Sequence, residues 1–124
     1  MLRRFEVTAV TDGSGAATAY SPYLSGYIHS IQYVKTDYAD GVDFTVTADG
    51  TGQSIWAEQD VNASAIRAPR QPTHSQAGVA ALYAAGGTAV NDKIGLSRDR
   101  VKIVVASGGA TKTGKFVITV DDGQ

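Results

Sequence analysis

The sequence has no cysteine, little net charge and no long apolar run. The lack of cysteine excludes disulfides, zinc ribbons, iron–sulfur ligation and thiol catalysis together. Lys and Arg number 11 against 12 Asp and Glu, a net charge of −1. Proteins that track nucleic-acid phosphates draw affinity from positive charge, so we expect no nucleic-acid partner. The length of 124 residues predicts one domain over residues 1–124.

A membrane span is not expected, because no stretch approaches the roughly 18 consecutive apolar residues that a spanning helix needs. The charged start, Met1 to Arg4, resembles the beginning of a signal peptide. No apolar segment follows it, since polar residues alternate with apolar ones between Phe5 and Val10. We therefore expect a soluble protein suited to a reducing compartment.

Motifs for catalysis and cofactors are largely missing. The G-x-S-x-G and H-E-x-x-H patterns are absent. Residues 109–115 match the first seven positions of a P-loop, but Phe116 stands where a Ser or Thr hydroxyl would bind magnesium. The segment also leads into a predicted strand rather than a helix, so the interpretation is a flexible loop with solvated lysines. We expect no enzymatic activity and no cofactor.

Metal ligands are also sparse. The only histidines are His29, predicted to be a core or interface residue, and His74, predicted to be exposed. A metal centre would need more imidazoles or a compact carboxylate set. Acidic residues do concentrate around one predicted strand and its turns, and they would suit calcium, but turn chemistry explains them better. They are Asp37, Asp40, Asp43 and Asp49.

The dominant periodicity is two, which indicates half-buried strands. It predicts one face made of Phe5, Val7 and Ala9, another of Tyr27, His29, Ile31 and Tyr33, and a third of Val42, Phe44, Val46 and Ala48. Further short strands are predicted at residues 54–58 and around Ile94 and Leu96. Two β-branched runs, residues 101–105 and 116–120, predict an antiparallel hairpin whose long loop projects.

Residues 75–85 are ambiguous, since they could form a short helix or an extended run of small residues. With turn residues every 8–12 positions, the pattern is that of an antiparallel β-sandwich. The predicted fold class is therefore all-β, a sandwich or jelly-roll-like architecture with at most one short helix.

Aromatic residues provide the strongest indication of function. Five of the six tyrosines lie between Tyr20 and Tyr38. Tyrosines in loops and strand entrances favour interfaces, because they offer rigid apolar area with a polar tip. Residues 67–74 form an extended segment bracketed by prolines and carrying two arginines; an ordinary mobile loop is the alternative. The predicted interface residues are Tyr20, Tyr23, Tyr27, Trp56, Arg67, Arg70 and His74.

Four segments, residues 25–34, 68–74, 81–92 and 101–120, give the sequence a resemblance to small virion proteins of tailed bacteriophages. The resemblance covers most of the chain and carries no catalytic motif. It implies a β-rich decoration (cement) protein on the capsid exterior, made in the bacterial host cytoplasm. The implied partners are the major capsid protein and further copies of the chain, with a trimer favoured. The alternatives are a head-to-tail or tail accessory protein, or a glycan-binding sandwich that stacks sugars on Tyr20, Tyr23 and Trp56.

Overall fold

A computed structural model describes residues 1–123, and all of their regular secondary structure is β-strand. The strands, in chain order, are β1 (Leu2–Val10), β2 (Ala17–Tyr20), β3 (Leu24–Val34), β4 (Val42–Ala48), β5 (Ser54–Val61), β6 (Ala65–Arg67), β7 (Arg70–Pro72), β8 (Asn91–Lys93), β9 (Gly95–Asp99), β10 (Val101–Ala106) and β11 (Thr113–Asp121). The predicted all-β class is confirmed. These residues include no helix long and apolar enough to cross a membrane.

The strands form two main sheets and a small one. The five-stranded sheet has the order β1-β11-β3-β6, with β9 also pairing with β3. The four-stranded sheet has the order β2-β10-β4-β5, and β7 pairs with β8 alone. Each pair that joins the strands is antiparallel. The two main sheets pack face to face as the predicted antiparallel β-sandwich.

The core lies between the inner faces of the two sheets. On β4, every second residue from Val42 to Ala48 is at most 2% exposed, as the alternation predicts. The Phe44 ring of this strand lies 5.2 Å from the ring of Phe116 on β11, in the opposite sheet. It is also 5.2 Å from the ring of Tyr33 on β3. Each such buried side chain contributes about 1.5–3 kcal/mol by leaving water.

The predicted hairpin of residues 101–105 and 116–120 is wrong. Strand β10 pairs with β2 and β4, whereas β11 pairs with β1 and β3, so the two runs lie in different sheets. Their connecting loop crosses from one sheet to the other. Thr11 holds this loop: its hydroxyl donates to the Gly109 carbonyl at 2.6 Å and accepts from the Lys112 amide at 2.8 Å. Alternation specifies which face of a strand is buried, but it does not specify the neighbouring strand.

Residues 75–85 form no helix, so the helical alternative is wrong. Two tight turns lie here instead. In the first, the Ser75 amide donates a hydrogen bond to the Val79 carbonyl, and in the second the Gly87 amide donates to the Ala84 carbonyl, both at 2.8 Å. A short helix gains most of its stability by packing an apolar face. The apolar side chains of this segment pack on neither sheet, so a helix here would lack that stabilisation. Val79 is 66% exposed, Leu82 43% and Tyr83 76%.

The predicted face of Tyr27, His29, Ile31 and Tyr33 is divided by a β-bulge. Ser30 pairs with Thr119, and Ile28 pairs with the next residue, Val120, so His29 is the extra residue on β3. One extra residue moves the following side chains to the other face of the sheet. Tyr27 and His29 are therefore exposed, while Ile31 and Tyr33 are buried.

Candidate interaction surface

Two predicted interface tyrosines gather around an arginine, in what we call the tyrosine–arginine cluster (Tyr20, Tyr23 and Arg100). Tyr20 is 41% exposed and Tyr23 66%. The guanidinium carbon of Arg100 lies 3.9 Å from the Tyr20 ring centroid and 5.3 Å from that of Tyr23. A cation over an aromatic face is attracted by the ring quadrupole. The cluster therefore presents two rings and a guanidinium in a fixed arrangement at the surface.

Asp49 orients the arginine of this cluster. Its Oδ2 accepts a hydrogen bond from Arg100 Nε at 2.9 Å, and its amide donates to the Arg100 carbonyl at 2.8 Å. The hydrogen bond from Arg100 to the Asp49 carboxylate raises the pKa of the guanidinium further above its usual value. The turn after β4 is thus joined to the start of β10. The Arg100 guanidinium thus binds the Asp49 carboxylate through Nε and lies over the Tyr20 ring.

Ser21 anchors the chain between the two tyrosines. Its amide donates to the Val101 carbonyl at 2.9 Å, and its hydroxyl accepts from the Val101 amide at 2.8 Å. The side chain is buried, with 4% exposure. A buried serine that satisfies backbone groups in this way fixes the turn against β10. Tyr20 and Tyr23 consequently project from a rigid base.

Tyr27, the third of the predicted interface tyrosines, lies apart from the tyrosine–arginine cluster. Its side chain is 54% exposed and lies over Gly95, where an added Cβ would be 3.4 Å from the ring. Together with Leu96 and Ser97 it lines a shallow groove. Among residues 1–123, no ring contact joins Tyr27 to the tyrosine–arginine cluster.

Trp56 belongs to the core, so its predicted role as an exposed stacking platform is wrong. It is 7% exposed and meets Phe44 edge to face at 4.8 Å between ring centroids. Its Nε1 donates to Glu58 Oε1 at 2.9 Å. Arg67 binds the same carboxylate at 2.7 Å and lies 5.6 Å over the Trp56 ring. Consecutive residues Ile55 and Trp56 are both buried, because the pairing of β4 with β5 is irregular there.

Arg70 and His74 lie near the start of an extension of the sandwich. We call this extension the arm (residues 73–90). Arg70 is exposed and donates to the carbonyls of Pro69 at 2.8 Å and His29 at 3.3 Å. His74 is exposed and forms an isolated β-bridge with Ala80. The arm is held by its own backbone: the Ala81 amide donates to Thr73 and the Val90 amide to Ala81. The arm therefore continues from the β7–β8 pair as a hydrogen-bonded extension.

The four clustered aspartates have four different partners. Asp37 accepts from the Thr113 amide, and Asp40 forms an ion pair with Lys35. Asp43 accepts from the Asp60 amide, while Asp49 holds Arg100. Within residues 1–123, no group of three or more His, Cys, Asp or Glu side chains could hold a metal ion. The turn interpretation agrees with Asp37, Asp40 and Asp49, which lie in bends and turns, whereas Asp43 lies within β4.

Sequence reasoning missed Arg100, the role of Asp49 as its partner, and the extent of the arm. Arg100 and Asp49 are far apart in sequence, and no motif marks their pairing across β4 and β10. The composition of the arm is unusual, because residues 73–90 contain no Lys, Arg, Asp or Glu. Such a stretch normally indicates a buried segment, but here it is exposed.

Comparisons with protein-family models, curated proteins and solved structures found no match to this chain. The fold defines the class as an all-β sandwich protein. Its distinctive surface features are the tyrosine–arginine cluster and the arm.

Proposed function

We propose that this chain is a non-enzymatic structural protein of a tailed-bacteriophage virion, a decoration protein that binds the outer capsid surface and stabilises the head. The single observation that carries the proposal is the exposed, prearranged tyrosine–arginine cluster. The resemblance of the chain to small phage virion proteins supplies the partner, the major capsid protein.

The chemistry of the cluster suits a protein partner. Binding energy at protein interfaces concentrates in a few Tyr, Trp and Arg side chains. Ordering flexible side chains costs affinity, and here Ser21 and Asp49 hold the rings and the guanidinium in advance. Tyr23, the most exposed member of the cluster, is the natural central anchor.

Arg70 is the proposed charged contact. Arg70 is exposed, and its Nη1 donates to two backbone carbonyls. Its other guanidinium donors are therefore placed to bind a carboxylate on a capsid subunit. Arg67 is less suited, because Glu58 already binds its guanidinium.

A glycan-binding role is the second candidate, and the exposure of Tyr20 and Tyr23 favours it. Of the three side chains expected to stack on sugars in this role, Trp56 is buried and is not accessible to a ligand. One face of Tyr20 is also covered by Arg100. A titration with a panel of sugars, monitored by tyrosine fluorescence, separates this role from the first.

The test of the main proposal measures occupancy on undecorated phage heads. Tyr23→Ala should weaken binding by about 2 kcal/mol or more, roughly 30-fold, because it removes a central anchor. Arg70→Ala should weaken it by about 1.5–3 kcal/mol through the lost charged hydrogen bonds. Val10→Ala, which removes an exposed apolar side chain from the end of β1, is the matched control and should bind as the parent does.

The outcomes distinguish the candidates. Folding of each variant is checked by the fluorescence of Trp56, the only tryptophan. If Tyr23→Ala and Arg70→Ala both decorate heads as the parent does, these side chains are not the contact surface. If the parent binds tails and not heads, the tail-accessory alternative replaces the head assignment. Saturable sugar binding without binding to either particle would support the glycan role.

A further inference from the structure

The guanidinium of Arg100 in the tyrosine–arginine cluster is only partly used inside this chain. Its Nε donates to Asp49 Oδ2 at 2.9 Å, and the side chain makes no other hydrogen bond to residues 1–123. An arginine side chain has five N–H donors, four of them on Nη1 and Nη2. The Arg100 side chain is 32% exposed, so a ligand can reach these donors beside Tyr20 and Tyr23.

Arg67, a second arginine that lies over an aromatic ring, has no such donors to spare. Its guanidinium carbon is 5.6 Å from the centre of the Trp56 ring. Its Nε and Nη2 each lie 2.7 Å from Glu58 Oε1, and its Nη1 donates to the Ile66 carbonyl at 3.0 Å. Every nitrogen of this guanidinium therefore has an oxygen partner. Two nitrogens of Arg100 have none within the described part of the chain.

The charges around the cluster favour an anionic ligand. Three positive side chains lie there against two negative ones: Arg98, Arg100 and Lys102 against Asp49 and Asp99. Lys102 pairs with the first tyrosine of the cluster across β10 and β2. Both carboxylates are engaged within the chain, Asp49 by Arg100 Nε and Asp99 by two backbone amides at 2.8 Å. Arg98 and Lys102 form no ion pair with residues 1–123, so the surface here has an excess of positive charge.

A carboxylate fits this site better than a phosphate. Arginine binds a carboxylate through two parallel N–H···O bonds, and the free Nη1 and Nη2 supply that pair. Asp49 places a negative charge beside the guanidinium, which opposes a doubly charged phosphate more than a singly charged carboxylate. The Tyr20 ring, 3.9 Å from the guanidinium carbon of Arg100, keeps water from one face, and a drier surrounding strengthens hydrogen bonds at the edge.

We propose that the tyrosine–arginine cluster is a carboxylate-binding site, in which Nη1 and Nη2 of Arg100 receive an Asp or Glu side chain of a partner protein. Tyr23, 66% exposed and 5.3 Å from the guanidinium carbon, packs on the methylene groups of that side chain. The choice of partner, the major capsid protein, rests on the proposed function, but carboxylate binding can be measured without it. Arg100 selects the chemistry of the partner, and Tyr23 adds apolar contact.

The site is tested with a peptide whose ends are blocked, acetyl-Gly-Glu-Gly-amide, titrated into the isotope-labelled protein at low salt and followed by NMR. The Nε–Hε signal of Arg100 and the amide signal of Tyr23 should shift together and saturate, with a dissociation constant of about 1–10 mM. Acetyl-Gly-Gln-Gly-amide has nearly the same shape without the charge and should bind at least tenfold more weakly. Inorganic phosphate should bind no more tightly than the glutamate peptide.

Three substitutions, followed at the Tyr23 amide, locate the bound carboxylate. Arg100→Gln removes the guanidinium and should weaken binding of the glutamate peptide at least tenfold. Arg100→Lys keeps the charge but cannot form two parallel hydrogen bonds, so it should weaken binding by about three- to fivefold. Arg67→Gln is the matched control. It removes the same charge from an arginine whose nitrogens are all used, and it should bind as the parent does.

Asp49→Asn separates the charge of the site from its geometry. The asparagine still offers an oxygen to Arg100 Nε, so the guanidinium keeps its orientation, but the negative charge beside it is gone. The glutamate peptide should therefore bind about two- to fivefold more tightly. This variant also gives an independent measurement if an Arg100 variant fails to fold. Equal or weaker binding would contradict the proposal, because the Asp49 carboxylate should repel that of the ligand.

The remaining outcomes keep this proposal apart from the capsid assignment. Carboxylate binding is overturned if the glutamate and glutamine peptides bind alike, if Arg100→Gln binds the glutamate peptide as the parent does, or if phosphate binds more tightly. Occupancy on phage heads is a separate measurement. If the parent fails to bind heads while the peptide results hold, the carboxylate site stands and the capsid assignment falls. If Arg100→Gln binds heads as the parent does, the capsid assignment stands and this proposal falls.

Discussion

The ring of Tyr38 packs directly against the backbone of Gly114, which leaves no room for a side chain at position 114. An added Cβ there would lie 2.5 Å from Tyr38 Cζ and closer still to Cε2. Tyr38 is 3% exposed and its hydroxyl is bonded to the Ala9 carbonyl, so the ring cannot simply move away. We expect Gly114→Ala to destabilise the protein by about 1–3 kcal/mol, the usual cost of overpacking a core.

Chemical denaturation followed by Trp56 fluorescence measures this cost. The matched control is Gly13→Ala, because a Cβ at Gly13 meets nothing within 4 Å. It should change the free energy of unfolding by less than about 0.5 kcal/mol. If both substitutions have the same effect, the packing of Tyr38 on Gly114 is not what fixes glycine there.

The neighbouring rings of Tyr33 and Tyr38 should respond differently to loss of their hydroxyls. The ring centroids are 6.1 Å apart. The Tyr38 hydroxyl donates to Ala9 at 2.6 Å, whereas the buried Tyr33 hydroxyl has no partner within the described residues. Tyr38→Phe should cost about 1–3 kcal/mol, because it leaves the Ala9 carbonyl without its donor.

Tyr33→Phe should leave stability unchanged or raise it by up to about 1 kcal/mol, since it removes a buried polar group that has no hydrogen bond. Urea titrations of the two single variants test both expectations. Equal losses from the two substitutions would show that Tyr33 does find a partner in solution.

Alkaline pH should destabilise the fold through the same pair. Burial raises the pKa of Tyr38 to about 12 and also raises the pKa of Tyr33. The unfolded chain releases these protons near pH 10, before the folded protein does. The stabilisation from Tyr38 is therefore complete below pH 10 and is lost as the pH rises toward 12, at up to about 1.4 kcal/mol per pH unit, and Tyr33 acts in the same direction.

The slope of stability against pH is the measurement. Tyr38→Phe should reduce the slope between pH 10 and 12, whatever it does to stability at neutral pH. Tyr20→Phe, at an exposed tyrosine, is the control and should leave the slope as it is in the parent. An unchanged slope in Tyr38→Phe would contradict the assignment.

Strand positions were predictable where a single face is buried without interruption. Val42 to Ala48 alternates regularly, and its buried face follows. The partner of a strand was not predictable, since β10 and β11 are neighbours in sequence but belong to different sheets. Nor was the bulge at His29, because one extra residue is invisible to a periodicity of two until the facing strand is known.

The candidate site was predictable only in part. Tyr20 and Tyr23 are exposed, as their place at a strand entrance predicts, whereas Tyr27 owes its exposure to the bulge at His29. Trp56 was misjudged, since a periodicity of two buries only one of the adjacent residues Ile55 and Trp56, whereas the irregular pairing with β4 buries both. Arg100 joins the tyrosines through contacts between distant parts of the chain, and such contacts leave no local pattern.

Ser21 should contribute to stability out of proportion to its size. Its hydroxyl accepts from the Val101 amide at 2.8 Å at a buried position, so Ser21→Ala leaves that amide without a partner. The expected cost is about 1–3 kcal/mol. Hydrogen exchange of the Val101 amide should accelerate, and the turn that carries Tyr20 and Tyr23 should loosen with it.

The control for this substitution is Ser54→Ala, at an exposed position on β5. It should shift the free energy of unfolding by less than about 0.5 kcal/mol and leave exchange at Val101 unchanged. Head binding provides the functional measurement: Ser21→Ala should bind more weakly than the parent under conditions where it is fully folded. The reason is that a loosened turn must be ordered again on binding. If Ser21→Ala exchanges, unfolds and binds as Ser54→Ala does, the hydroxyl of Ser21 does not anchor the cluster.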